Sequence, residues 1–296
     1  MLPKGKTGRT LGEALRQGAA RLAASSSPLL DARMLLKFAT GIDDASLIAR
    51  SDERLIDTQA TEFDALIARR ARGEPVAYIV GEKEFWSLPF KVTANVLVPR
   101  DDSECLIEAI LARRHRDEPL KMLDLGTGSG CLICALLSEF RNGFGVGLDQ
   151  SENAIKVAHG NGEALGLDGR SAFAAGNWLA PIGGAFDVII ANPPYIADTE
   201  RSALPVDVLD FEPEQALFAG VDGMDDYRAI LAAFAAAPGL IRGDGLLVFE
   251  AGERQVSRLR QLVKETFQAA NVAVIVDLKG RKRGIAADFR HIKKRD

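Results

Sequence analysis

Apolar positions recur at helical spacing through the first quarter of the chain. Leu11, Leu15 and Leu22 fall on one helical face, and a second helix opens at Pro28, carries Leu30, Met34, Leu35 and Phe38, and closes at Gly41. Proline at the first helical position and glycine just past the last are matching start and stop signals. Residues 58–72 give a third amphipathic stretch, with Phe63, Leu66 and Ile67 on one side and Gly73 as its stop. These patterns predict a small helical domain over 1–75, with no evident catalytic chemistry of its own.

The period then changes. Tyr78-Ile79-Val80, Phe85-Trp86 and Phe90-Lys91-Val92 are short β-type runs broken by Gly81 and Pro89, and Val96-Leu97-Val98 runs into Pro99-Arg100. They predict a β-hairpin linker over 76–98. From 99 to 296, apolar strands alternate with helices. Strands are expected at 121–125, 145–149, 171–174, 186–191, 246–250 and 272–277, and helices at 151–165 (with Ser151 as N-cap), 227–237 and 253–270. This alternation predicts an α/β domain with a mostly parallel sheet and helices on both faces. Ligands of such sheets bind at the carboxyl ends of the strands, near the point where strand order reverses.

The residues after each expected strand carry the chemistry. The first is followed by Gly126, Thr127, Gly128, Ser129 and Gly130, a loop whose glycines let a ligand approach the backbone. Its GxGxG spacing differs from the GxGxxG of dinucleotide binders and favours a nucleoside cofactor. The second ends on Asp149, whose carboxylate can take both ribose hydroxyls or simply cap the next helix. The third leads to Asn177-Trp178, where an aromatic ring can pack on adenine or be structural. The fourth leads to Asn192-Pro193-Pro194-Tyr195. Two prolines remove two backbone donors and fix φ, leaving a stiff loop rich in acceptors. The Asn192 side-chain oxygen and the Pro193 carbonyl can hold both hydrogens of an NH2 group, and Tyr195 offers a flat face to a planar one. Such a loop suits methyl transfer from S-adenosylmethionine to a planar nitrogen, with Asn192, Pro193 and Tyr195 as the acting residues. Neither a metal nor a covalent intermediate is required. The histidines, His115, His159 and His291, lie away from these strand ends, so no histidine base is expected.

Composition constrains the picture further. The 296 residues are 47% hydrophobic and 26% charged, as in ordinary globular proteins, and no apolar run reaches the length of a membrane span. The polar start, without an apolar leader core, suggests the cytoplasm. Cys131 and Cys134 form a CxxC without a second metal-ligand pair, and read as small apolar residues one helical turn apart. The net charge of −4 argues against direct nucleic-acid binding. The C-terminal basic residues Lys279, Arg281, Lys282, Arg283, Arg290, Lys293, Lys294 and Arg295 read as a solvated face, with RNA contact as the sharper alternative.

Several segments together resemble the release factor glutamine methyltransferases, the HemK/PrmC family. They are Arg72-Gly73-Glu74-Pro75-Val76-Ala77-Tyr78-Ile79-Val80-Gly81, then Glu84-Phe85 and Phe90, and Val98-Pro99-Arg100 with Asp102, Ser103 and Glu104. The glycine loop, the Asn-Pro-Pro-Tyr loop, Phe211-Glu212-Pro213 with Ala216-Leu217, and Asp222-Gly223 with Tyr227 continue the resemblance over nearly the whole chain. It implies a helical domain that helps dock the substrate, a hairpin linker and a Rossmann-like seven-stranded methyltransferase domain. The implied reaction methylates the glutamine of the Gly-Gly-Gln motif in peptide chain release factors and leaves S-adenosylhomocysteine. By the same resemblance, residues 126–130 surround the methionine moiety, Asp149 binds ribose, Trp178 lies near adenine, Asn192 also touches the cofactor, and Asn192, Pro193, Pro194 and Tyr195 hold the glutamine. Asp101 and Asn177 depart from the family pattern, where proline and aspartate are usual. Methylation of a ribosomal-protein glutamine, adenine methylation of DNA, and a non-catalytic cofactor-binding module are the competing readings.

Overall fold

The computed structural model describes residues 8–179, 182–267 and 271–290. The chain divides into two compact units, Met1–Gly81 with Pro205–Phe211, and Glu82–Leu204 with Glu212–Asp296. The first unit contains α1 (Leu11–Arg21), α2 (Pro28–Thr40), α3 (Asp44–Ala49), α4 (Asp57–Ala71) and α5 (Val76–Val80). A reciprocal capping box starts α1, in which the Glu13 amide donates to Thr10 Oγ1 and the Thr10 amide to the Glu13 carboxylate. Gly41, at φ +69°, ends α2. Leu11, Leu35, Leu36, Phe63 and Ile67 form the buried centre. Beside it the Arg70 guanidinium meets Asp31 at 2.7 Å, with both side chains nearly buried. Asp31 also accepts from the Ser25 and Ser27 hydroxyls, so the buried charge is well supplied with donors.

One local expectation fails in this unit, and one short helix was not singled out. Residues 78–80, expected as extended chain, are helical in α5, bounded by Pro75 and by Gly81 at φ +80°. A five-residue apolar run is too short to display a period, and its Pro and Gly boundaries are helix signals. Helix α3 was not anticipated; Asp43 caps it by accepting the Ser46 amide.

The second unit opens with a hairpin of β1 (Glu82–Phe85) and β2 (Leu88–Lys91). Trp86 and Ser87 turn it with φ of +54° and +57°, the backbone that suits the twist of a two-residue hairpin. Pro89, expected as a break, lies inside β2 opposite Glu84. A two-stranded ribbon has only edges, so a residue without an N–H is tolerated there. The Trp86 amide donates to Glu104 and its indole to Glu139, both at 2.8 Å, tying the turn to α6 (Glu104–Leu111) and α7 (Cys131–Glu139). Residues 96–98 form no strand.

The seven-stranded sheet comprises β3 (Lys121–Leu125), β4 (Phe144–Asp149), β5 (Ser171–Ala175), β6 (Phe186–Ala191), β7 (Ile241–Glu250), β8 (Asn271–Val276) and β9 (Lys282–Asp288). Its order is β5-β4-β3-β6-β7-β9-β8; the first five strands in this order are mutually parallel, and β9 runs antiparallel to both its neighbours. The helices of this part of the chain are α6, α7, α8 (Glu152–Ala164), α9 (Val206–Leu209, in the first unit), α10 (Asp225–Ala236) and α11 (Val256–Thr266). Order reverses at β3, flanked by β4 and β6, which makes this the switch point. Six strands lie where expected; the expected helix 253–270 is observed as α11, and 268–270 lie outside the described residues.

Strand β9 corrects part of the reading of the basic C-terminal segment: Lys279, Lys282 and Arg290 are exposed as expected of a solvated face, but Arg281 and Arg283 are half-buried. Gly284 to Asp288 are buried, and a Cβ at Gly284 would lie 2.1 Å from the Phe249 carbonyl, so only glycine permits this approach. Arg281 and Arg283 are bound by Asp277 and Asp102 rather than forming a free cationic face. His291, Lys293, Lys294 and Arg295 lie outside the described residues. Cys131 and Cys134 pack into α7 as free thiols, and burial pushes the Cys131 thiol up to about 12. No described helix is long and apolar enough to cross a membrane.

Phe63 is fully buried in the first unit. Phe63→Ala is expected to lower the protection of α1, α2 and α4 amides in native-state hydrogen exchange by about 3–5 kcal/mol. A loss below about 1 kcal/mol would contradict this account of the core.

Candidate active site

The carboxyl ends of β3, β4, β5 and β6 meet at one cleft. Gly126, Thr127, Gly128 and Ser129 line it after β3, Asp149 after β4, Asn177 and Trp178 after β5, and Asn192 and Pro194 after β6. Pro99, Arg100 and Ser103 contribute from the segment before α6, and Pro213, Gln215, Ala216 and Asp226 from the opposite stretch of chain. Three residues of the expected set lie behind this lining. Gly130 is the left-handed N-cap of α7, where a Cβ would come within 3.2 Å of Ala158. Pro193 is buried, and Tyr195 is half-buried with its phenol turned toward Glu250.

The glycine loop is held by side chains of the neighbouring strands. Gly126, Gly128 and Gly130 all have positive φ. Thr127 Oγ1 donates to Asp124 Oδ2 at 2.6 Å, and the Gly128 amide donates to Asp149 Oδ2 at 2.9 Å. Asp149 Oδ1 accepts the Ser151 amide, while the Ser151 hydroxyl caps α8. The loop-bracing and helix-start roles of Asp149 therefore coexist. Burial pushes the Asp124 carboxyl up to about 7, against the lowering effect of the Thr127 hydroxyl. Asn161, buried on α8, donates to the Ser129 and Lys91 carbonyls and accepts the Lys91 amide, fastening the loop to the hairpin. Trp178 has φ +50°, and its ring edge lies 3.7 Å from where a Gly126 Cβ would be. A bulky residue in that region costs about 1–2 kcal/mol, and such strain clusters at functional sites.

The Asn-Pro-Pro-Tyr loop is secured from outside, because its prolines have no N–H to give. Asn192 Nδ2 donates to Ser103 Oγ at 3.5 Å, and the Ser103 hydroxyl donates to Glu250 Oε2. The Tyr195 hydroxyl donates to Glu250 Oε1 at 3.5 Å. The Tyr195 carbonyl accepts Gln255 Nε2 at 2.6 Å, and the same amide reaches the Gly223 carbonyl at 3.1 Å. A Cβ at Gly223, where φ is +67°, would lie 2.3 Å from the Tyr195 carbonyl. Glu250 is 2% exposed, and burial pushes its carboxyl up to about 7 despite the Ser103 hydroxyl and the nearby Arg283. Arg100 pairs with buried Glu212 at 2.7 Å, which joins two cleft-lining segments. Asp226 is half-buried, and burial, reinforced by Asp225, pushes it up to about 6.

Sequence reasoning did not assign roles to Glu250, Gln255 or Asn161. Glu250 had a signal: it is an acidic residue ending an apolar strand, the same position that drew attention to Asp149. Asn161 and Gln255 had none, since a helical amide does not disclose which distant backbone it binds.

Comparison with known proteins places this geometry in a family. A family profile described as the PrmC N-terminal domain matches residues 13–81, and one described as a methyltransferase domain matches residues 116–268. The release factor glutamine methyltransferase of Bradyrhizobium diazoefficiens is 40% identical over 289 residues, covering 95% of both chains. That of Escherichia coli K12 is 38% identical over 247 residues, 83% of this chain and 87% of that protein. Among solved structures, the hMettl16 catalytic domain bound to a MAT2A 3′UTR hairpin superposes with a TM-score of 0.57 at 11% identity, over 80% of this chain and 82% of that one. The Thermus thermophilus 16S rRNA N2 G1207 methyltransferase, solved with AdoMet and guanosine, gives 0.52 at 17% identity, over 70% of this chain and 49% of that one. The structural matches share the fold alone, whereas the sequence relatives extend from the helical unit through the sheet. The resemblance drawn from the sequence is borne out: the chain belongs to the release factor glutamine methyltransferase family.

Proposed function

We propose that this chain transfers a methyl group from S-adenosylmethionine to the side-chain amide nitrogen of the glutamine in the Gly-Gly-Gln motif of peptide chain release factors, in the cytoplasm. The observation that carries the reading is the placement of Asn192 in one cleft with the glycine loop, Asp149 and Trp178. The lining fits the cofactor. Nothing lies within 4 Å of where a Gly128 Cβ would be, so the loop leaves room for a ligand against its backbone. Each Asp149 oxygen takes one backbone amide and retains a lone pair for a ribose hydroxyl. Gly126, Thr127, Gly128 and Ser129 are assigned to the methionine moiety, with Gly130 shaping the turn behind them. Trp178, with Asn177 beside it, is assigned to the adenine.

S-adenosylmethionine supplies an electrophilic methyl group on a positively charged sulfur. The protein's task is to orient a poor nucleophile, since an amide nitrogen shares its lone pair with the carbonyl. Asn192 Oδ1 accepts one hydrogen of the glutamine NH2 and the Pro193 carbonyl accepts the other, with Pro194 bounding the seat and Tyr195 bracing the loop from behind through Glu250. As the nitrogen forms its bond to the methyl carbon it gains positive charge, and both acceptors bind it more strongly at that moment. One N–H proton would pass to solvent water, and the sulfonium would become a neutral thioether that keeps the electron pair of the broken bond.

Asn192→Ala is expected to reduce labelled-methyl transfer to a purified release factor by at least about 100-fold, the scale seen when a charge-stabilising partner is removed. Cofactor affinity should change by only a few-fold; full transfer by this variant would refute the assignment. Asp149→Ala is expected to weaken cofactor binding by about 10-fold or more in a direct titration, as two charge-assisted hydrogen bonds are lost. Methylation of DNA, or of a ribosomal protein, in place of release factors would overturn the substrate reading.

A further inference from the structure

The residue that holds Asn192 is itself governed by a buried charge. Glu250 ends β7, does not line the cleft, and sits under both ends of the Asn-Pro-Pro-Tyr loop. Its Oε2 receives the Ser103 hydroxyl and its Oε1 the Tyr195 hydroxyl. We propose that Glu250 is a positioning residue that sets the orientation of the Asn192 amide through Ser103 and anchors the far end of the same loop through Tyr195. The inference rests on the reading of Asn192 as the seat of the substrate amide.

The orientation of the Asn192 amide follows from a count of hydrogens. A hydroxyl has one, and Ser103 spends it on Glu250. Its oxygen can then only accept, so the group facing it must be the Asn192 NH2, found at 3.5 Å. That leaves Oδ1 as the side-chain atom available to the cleft, the acceptor that an incoming NH2 requires. A protonated Glu250 reverses the count. It becomes a donor, the Ser103 hydroxyl is freed to donate to Asn192 Oδ1, and the amide turns its own NH2 outward. Donor then meets donor, and the substrate nitrogen is not held.

Several ionisable groups face Glu250. Asp102 lies beside Ser103, Cys105 lies on α6, Cys131 lies on α7, Tyr195 follows β6, Tyr227 lies on α10 and gives its hydroxyl to the Glu250 carbonyl, and Arg283 lies on β9. Arg283 is shared with Asp102 and Asp277, so its charge offsets burial only in part. Burial raises Glu250 from 4.5 to about 7. A raised carboxyl is neutral below that value and ionised above it, so the productive Asn192 orientation gains population as pH rises through about 7.

The test compares kcat, KM for a release factor and cofactor affinity across pH 5.5–9, a range of roughly two units either side of that value, for wild type, Glu250→Gln, Ser103→Ala and Ser103→Thr. Wild-type kcat should rise through neutral pH. Glu250→Gln, nearly isosteric, should lower kcat by about 10–100-fold and lose the rising limb, with cofactor affinity unchanged within about 2-fold. Ser103→Ala, which keeps Glu250 but removes the relay, should do the same if the Gln variant does not fold. Ser103→Thr, which retains the hydroxyl, should restore both rate and limb. Wild-type rate and limb in Glu250→Gln, or an unchanged limb in Ser103→Ala, would overturn the inference while leaving an inactive Asn192→Ala to support the seat. Cofactor affinity falling in step with kcat would also overturn it, as a collapse of the cleft. An active Asn192→Ala would remove the seat and the inference together.

Discussion

A carboxylate withdrawn from water must be met by hydrogen-bond donors, or it costs several kcal/mol. Glu250 imposes that requirement at the end of β7, and much of the surrounding geometry answers it. Ser103 is brought in by the turn that starts α6, and Tyr195 by the loop after β6. Arg283 arrives on β9, held in place by Asp102 and Asp277. Three elements distant in sequence are thus fixed around one charge. The loop they support could not brace itself, because two of its four residues are prolines.

The centre of the parallel sheet was legible because β3, β6 and the second half of β7 are buried on both faces and read as nearly continuous apolar runs, whereas β5 has no buried position. β6 is buried at every position and was located to the residue. β9 was not legible, because its strand character is masked by Lys282 and Arg283 at one end and by glycine and alanine in the middle. Those small residues have low strand preference, and the strand exists because it fits between β7 and β8. The short helix α5 was misread for the opposite reason. Valine, tyrosine and isoleucine favour strands, and the flanking Pro75 and Gly81 overrode that preference.

The cleft itself was largely visible in advance, because position after a parallel strand is a geometric property that sequence order reveals. Gly126 to Ser129, Asp149, Trp178 and Asn192 all reach it. Pro193 and Tyr195 were drawn to the same place by adjacency, yet the fold turns the tyrosine ring away toward Glu250. Sequence neighbours share a loop, not a direction. The supporting residues stayed hidden because each binds a partner far along the chain: Asn161 to Lys91 and Ser129, Gln255 to Tyr195, and Ser103 to Glu250.

The reach of those contacts has a temporal consequence. A ribosome delivers the glycine loop and Asn192 well before β9, and the ties from Arg283 to Asp102 close a span of 181 positions. Until the last strand slides between β7 and β8, the countercharge for Glu250 is missing and the loop above it lacks its footing. A protein that acts on the termination machinery is thereby built so that its reactive centre takes shape only after β9 has been made.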